Sequence, residues 1–119
     1  MTANNEHIFV PLDEFDFHHR LTTTPGPALV IFTGEGCASC RAWKQLLAAY
    51  RLRYSDLTLF EVDAGQAQAL TREFEVFHLP ALFLFRDGQF HGALATEARL
   101  DTLHAAIQAN LAAPPQEAP

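Results

Sequence analysis

The chain has little of what several functional classes require. Among its 119 residues only two are cysteines, Cys37 and Cys40. A disulfide-stapled secreted miniprotein carries four or more at wider spacings, so this close pair reads as reactive or metal-binding rather than structural. The eight Lys and Arg residues are scattered among fourteen Asp and Glu, for a net charge of −6, and the basic footprint that phosphate-backbone binding demands is missing. No apolar run approaches the ~20 residues needed to span a bilayer. The opening MTANNEHIFV holds neither a positive n-region nor an apolar h-region. These absences predict a cytoplasmic protein with no nucleic-acid and no membrane partner.

What is present suits one compact domain. Hydrophobic residues make up 49% and include ten Phe, ample for a core that needs no cross-link. Residues 7–10 are β-prone, and Pro11 followed by Asp13 and Glu14 suits the first turn of a helix, predicted over residues 12–21. After a turn-rich break, residues 28–33 (ALVIFT) read as a strand buried on both faces and central in its sheet. Gly34 to Gly36 turns the chain into a helix from Cys37 to about Arg53, with Ala42, Trp43, Leu46, Leu47 and Tyr50 on its apolar face. A strand over 57–62, a helix over 66–74 and a strand over 81–85 follow. Asp87-Gly88 is a two-residue hairpin turn into residues 89–95. Thr96 reads as the cap of an amphipathic helix carrying Leu100, Leu103, Ile107 and Leu111. The alternation predicts an α/β domain over 1–113, a central mixed sheet flanked by helices on both faces, with 114–119 a disordered tail.

The chemistry concentrates at Cys37-Ala-Ser-Cys40, directly after a buried strand and at the start of a helix. There the first N–H groups are unpaired and the macrodipole is positive, which favours a thiolate at Cys37. Lowering a thiol pKa from ~8.5 to ~7 raises the thiolate fraction at pH 7 from roughly 3% to roughly half. Cys37 is therefore the expected nucleophile, and Cys40, one turn deeper, the resolving thiol. The competing readings are half of a zinc site, which needs two more ligands from dispersed histidines, and an inert pair. Pro80, at the start of a strand, either simply begins it or holds a cis peptide at a functional turn.

These residues resemble the thioredoxin family. The match covers about residues 7–112 and rests on ALVIF, Glu35 just before CxxC, the helix after it, residues 57–63, the Leu79-Pro80 step before FLF, and Asp87-Gly88. The resemblance implies a thioredoxin fold, thiol–disulfide exchange with protein disulfide or dithiol substrates, recycling by a reductase partner, and a cis bond at Leu79-Pro80 packed against the cysteine pair. It implies a monomer and requires no prosthetic group and no metal. The expected substrate surface is Gly36, Ala38, Ser39, Leu79 and Pro80. The chain departs from the family pattern in having Gly36 where Trp is usual and Ala38-Ser39 where Gly-Pro is usual. Ile31 aligns with the family's buried aspartate and Glu61 with the lysine that pairs with it. These departures support a rival reading, a partner-specific assembly factor on the same fold.

Three side chains need separate weighing. Trp43 lies on the apolar helix face and is expected in the core. His78, two residues before Pro80, is expected to be a solvated loop histidine. Glu61 is the candidate proton acceptor for Cys40, because period-two alternation puts it on the face of Leu59, where a carboxylate is desolvated. The opposing reading has Glu61 near the strand's end, turned to solvent.

Overall fold

The computed structural model describes residues 8–119. His7, the expected start of the first strand, and the leader-free reading of residues 1–7 lie outside the described residues. The element order is β1 (Phe9–Leu12), α1 (Phe17–Thr22), β2 (Pro27–Thr33), α2 (Ala38–Arg53), β3 (Thr58–Asp63), α3 (Gln68–Glu73), β4 (Ala81–Arg86), β5 (Gln89–Leu94) and α4 (Leu100–Ala112). The strands form one sheet in the order β1-β3-β2-β4-β5. The pairs β1–β3 and β2–β3 are parallel, whereas β2–β4 and β4–β5 are antiparallel. The strand expected to be central, β2, lies third of five.

Alternation along β2 divides the core in two. Ala28, Val30 and Phe32 point to the layer of α1 and α3, where Phe17, Leu21, Leu70 and Phe74 meet them. Leu29 and Ile31 point to the layer of α2 and α4, against Leu47, Tyr50, Leu103 and Ile107. The first layer is rich in aromatic pairs: Phe17 with Phe74 at 5.3 Å between centroids, Phe32 with Phe83 at 5.6 Å, and Phe85 with Phe90 at 5.6 Å, all edge-on. Such pairs add about 0.5–1.5 kcal/mol each beyond their area burial. The second layer is closed at its far end by Tyr50, whose hydroxyl lies 3.0 Å from Nδ1 of His104, itself stacked on Tyr54 at 3.9 Å.

Two predicted helix starts are wrong, for readable reasons. The helix expected over 12–21 begins at Phe17, and Pro11 lies in β1, opposite Glu61. An edge strand tolerates a proline because no ladder bond is needed on its open side. Residues 13–16 are held instead as a turn. The carboxylate of Asp13 accepts from the N–H groups of Phe15 and Asp16, both at 2.9 Å, and that of Asp16 accepts from the Asp13 N–H at 2.8 Å. The backbone donor of Asp16, then that of Phe15, holds the Asp13 carboxyl below the usual carboxylate range. At the other end Thr96 is not the cap of α4. Arg99 occupies that place with extended backbone angles, while the Thr96 hydroxyl donates to the carbonyl of Thr102 at 3.3 Å.

The hairpin turn adopts positive φ at both central residues, 51° at Asp87 and 82° at Gly88, as a two-residue connection with the twist of its strands requires. The Asp87 carboxylate accepts from the Gly26 N–H at 2.7 Å. Residues 114–119 form neither helix nor strand, but Gln116 is tied to β5. Its N–H donates to the His91 carbonyl at 2.8 Å, and its side-chain oxygen accepts from the Ala93 N–H at 3.1 Å.

Candidate active site

The parallel run β1, β3, β2 delivers three strand C-termini to one end of the sheet, with Thr33 opposite Asp63 in register. Such ends are where open α/β sheets place their chemistry. The chain leaves β2 at Thr33 and turns through Gly36, whose φ of +73° is costly for any residue with a Cβ. It enters α2 with Cys37 as N-cap, at φ −89° and ψ 102°. No acidic residue lies in the first turn of α2 to offset the positive helix end.

Cys37 and Cys40 are joined as a disulfide with Cα atoms 5.2 Å apart, within the ordinary span of such a bridge. The two sulfurs sit in different surroundings. Cys37 is partly exposed; its Sγ accepts from the Cys40 N–H at 3.2 Å and lies 3.4 Å from the Ser39 hydroxyl. Cys40 is 2% exposed. Gly36, Ala38 and Ser39 are exposed around the bridge.

Antiparallel pairing of β4 with β2, Phe32 opposite Ala81, carries the residues before β4 to the same end of the sheet. The Leu79–Pro80 peptide is cis. Leu79 lies across Gly34 so closely that a Cβ added to Gly34 would stand 2.6 Å from its Cδ1. The proline loop and the cysteine loop are thus neighbours, and Leu79, 36% exposed, forms part of the surface between them. His78 is exposed, and Trp43 packs partly buried against the α2 side of the core.

Glu61 faces α2, on the same side of the sheet as Leu59 and Ile31. It is neither bare nor fully desolvated, which corrects that part of the expectation. Its Oε1 lies 2.8 Å from Nζ of Lys44 on α2, its Oε2 accepts from the Thr33 hydroxyl at 2.6 Å, and its side chain is 24% exposed. It lines an open cleft with Thr33, Gly34, Glu35, Asp63 and Leu79. Strand alternation finds the face of Glu61 but not its partners. Lys44 carries a readable signal: it is the fourth residue after Cys40 and the chain's single lysine. Phe77, three residues before Pro80 in the chain, is 84% exposed, which sequence patterning does not mark. Among the described residues no helix is long and apolar enough to cross a membrane.

Comparison with known proteins agrees with this geometry. The Thioredoxin family model matches residues 8–109. The chain is 28% identical over 90 residues to a thioredoxin of Mycobacterium tuberculosis, covering 75% of this chain and 78% of that protein. It is 33% identical over 69 residues to the thioredoxin domain-containing protein 2 of Mus musculus, covering 55% of this chain and only 13% of that longer protein. Among solved structures, the oxidized form of mitochondrial thioredoxin 3 from Saccharomyces cerevisiae superposes with a TM-score of 0.76 at 20% identity, covering 89% of this chain and 99% of that one. A family match across nearly the whole described chain, a mixed five-stranded sheet of the same fold and a disulfide-bonded CxxC at the start of α2 together establish that the chain belongs to the thioredoxin family.

Proposed function

We propose that this protein is a thiol–disulfide oxidoreductase acting on protein disulfides through the Cys37-Ala-Ser-Cys40 pair. In the reduced protein the Cys37 thiolate attacks one sulfur of a substrate disulfide. That S–S bond breaks, one substrate sulfur leaves as thiolate, and a mixed disulfide forms on Cys37. Cys40 then gives its proton to Glu61 and attacks Cys37 Sγ, closing the bridge and expelling the second substrate thiolate. Two electrons pass from the dithiol to the substrate, and the released thiolates take protons from water. A reductase partner restores the dithiol.

The observation that carries this reading is the asymmetry of the two sulfurs. Cys37 is reachable and bonded to a helix N–H, while Cys40 is enclosed, so attack and resolution fall to different residues. Gly36, Ala38, Ser39, Leu79 and Pro80 form the proposed contact surface, on which an extended substrate segment pairs with the backbone of Leu79. We further propose that the protein is a monomer and acts in the cytoplasm.

The direct test is reduction of insulin disulfides by wild type and Cys37→Ser, with a chemical reductant as electron source. Turnover by wild type and none above background by the variant is expected. Equal background rates from both would favour the rival reading, an assembly factor that binds partners without catalysis. The role of Glu61 is tested by the rate of mixed-disulfide resolution in Glu61→Gln across pH 5–9, where a loss at neutral pH is expected and an unchanged profile removes the assignment.

A further inference from the structure

Cys37 is the N-cap of α2, and its sulfur stands where a serine or aspartate oxygen stands in an ordinary cap, accepting from the Cys40 N–H at 3.2 Å. A second contact comes from a side chain between the two cysteines. The Ser39 hydroxyl oxygen lies 3.4 Å from Cys37 Sγ and makes no other hydrogen bond among the described residues. A disulfide sulfur carries no hydrogen, so in the bridged protein the serine O–H is the donor and the sulfur the acceptor. Gly36, the preceding residue, offers the sulfur no side chain.

Such a bond strengthens when its acceptor becomes an anion, by roughly a factor of two. A donor already aimed at Cys37 Sγ in the bridged state is therefore in place for the thiolate that reduction creates. The Gly-Pro pair usual at these two positions has no side-chain donor, whereas Ala38-Ser39 has one. The charged or titratable side chains on the elements around the bridge are Glu35 before it, Arg41 and Lys44 on α2, Glu61 and Asp63 on β3, and His78 before Pro80. None of them hydrogen-bonds Cys37 Sγ, whose partners among the described residues are the Cys40 N–H and the Ser39 hydroxyl.

We propose, resting on the oxidoreductase reading, that Ser39 is a catalytic residue whose hydroxyl donates to the Cys37 thiolate and makes Cys37 both an ionised nucleophile and a good leaving group. In attack, the Cys37 thiolate gives its electron pair to one substrate sulfur, the substrate S–S bond breaks, and the other substrate sulfur departs as thiolate with that bond's electrons. In the reverse step a substrate thiolate attacks the sulfur bound to Cys37, the mixed disulfide breaks, and Cys37 takes the electron pair back as thiolate. The serine proton stays on its oxygen in both directions, and only the charge of its acceptor changes. Because the bond is stronger to the thiolate than to a bridged sulfur, Ser39 stabilises the reduced state wherever Cys37 is ionised. It thus makes the pair less reducing than the same pair without the hydroxyl.

The test reads the thiolate directly. Reduced wild type, Ser39→Ala and Ser39→Thr are alkylated with iodoacetamide from acid to alkaline pH, and the rate at Cys37 is followed by mass spectrometry; its midpoint is that of thiolate formation. Ser39 is exposed, so alanine there disturbs no core contact, and competition from water limits the shift to about half a unit. Below the midpoint Ser39→Ala should react about threefold more slowly than wild type and converge with it at alkaline pH, where both are fully ionised. Ser39→Thr, which keeps the hydroxyl, should follow wild type. Equilibration with glutathione should give equal potentials below both midpoints and, above them, a Ser39→Ala potential about 15 mV more reducing, the same threefold converted at about 30 mV per tenfold. The proposal is overturned by a Ser39→Ala midpoint equal to wild type, by a potential offset of the same size at every pH, or by Ser39→Thr shifted as far as Ser39→Ala. The alkylation profile involves no protein substrate, so failure of the oxidoreductase reading shows in the insulin assay and failure of the Ser39 assignment in this profile.

Discussion

Replacing Gly34 by alanine separates the stability of this protein from the shape of its active-site surface. The added Cβ would lie 2.6 Å from Leu79 Cδ1, against 3.4–4 Å for ordinary contact, so that methyl must retreat by about 1 Å. The obstacle is the end of a flexible side chain that is already 36% exposed, not backbone. Turning Leu79 away costs about 0.5–1.5 kcal/mol in rotamer energy, and alanine returns about 0.4–1 kcal/mol by restricting the unfolded chain. The two nearly cancel, and the melting temperature should move by no more than about 5 °C. Leu79, however, lies in the proposed contact surface between the cysteine and proline loops. Losing about 1 kcal/mol of fit there raises KM for a protein disulfide roughly fivefold. A small aryl disulfide, which touches little beyond Cys37, should be reduced at a rate within about twofold of wild type. Insulin and aryl-disulfide reduction measured in parallel, with a thermal melt, decide the matter. Equal losses on both substrates, or a fall in melting temperature beyond about 10 °C, would refute the placement of Leu79 as a substrate contact backed by Gly34.

Cys40→Ser should trap protein partners as mixed disulfides on Cys37, seen as reductant-sensitive adducts on non-reducing gels, whereas Cys37→Ser should trap none; equal trapping by both removes the attack-then-resolve order. Gly88→Ala combines a φ of +82° with a Cβ only 2.7 Å from Thr22 Cα and 2.8 Å from the Leu21 carbonyl oxygen, both backbone atoms. We expect a loss of about 2–4 kcal/mol in denaturant unfolding, and a loss under about 1 kcal/mol would mean that the α1–hairpin contact yields easily. Burial, then the charges of Tyr54 and Asp56, raises the Tyr50 hydroxyl from its ordinary 10.0 to about 12. The folded state therefore holds this proton more tightly than the unfolded state, and the resulting stability is complete below pH 10 and drains as pH rises toward 12. Tyr50→Phe should flatten that alkaline fall in melting temperature, and an unchanged slope contradicts the assignment.

The legible parts of this molecule were those whose cause is local. Five consecutive apolar residues ahead of CxxC announce a doubly covered strand and a helix N-terminus, and Asp87-Gly88 announces its own turn, because backbone sterics decide both. Pro11 misleads because a proline suits helix position N1 and an open sheet edge equally well; only the pairing of β1 with β3 separates them. Thr96 misleads because its hydroxyl is spent on the Thr102 carbonyl, a bond that depends on how the loop folds back. At the site, the difference in exposure between the two sulfurs follows from position on a helix, and alternation orients Glu61. Its partners, Lys44 and Thr33, come from two other elements, and such a meeting is a property of tertiary packing.

The last residues of the described chain bear on recognition. Gln116 occupies the outward N–H of Ala93 and the outward carbonyl of His91, and the Asn110 amide donates to the Ala93 carbonyl at 3.3 Å. Gly92 between them leaves no room for a Cβ, with Asn110 atoms at 2.8 Å. At the opposite margin, Pro11 withholds a donor from β1. Both open borders of the sheet are therefore poor templates for an incoming strand. In the proposed mode of docking, a polypeptide that pairs through its main chain is steered away from these margins and toward the backbone beside Leu79, and of the two bridged cysteines only Cys37 offers it a partly exposed sulfur.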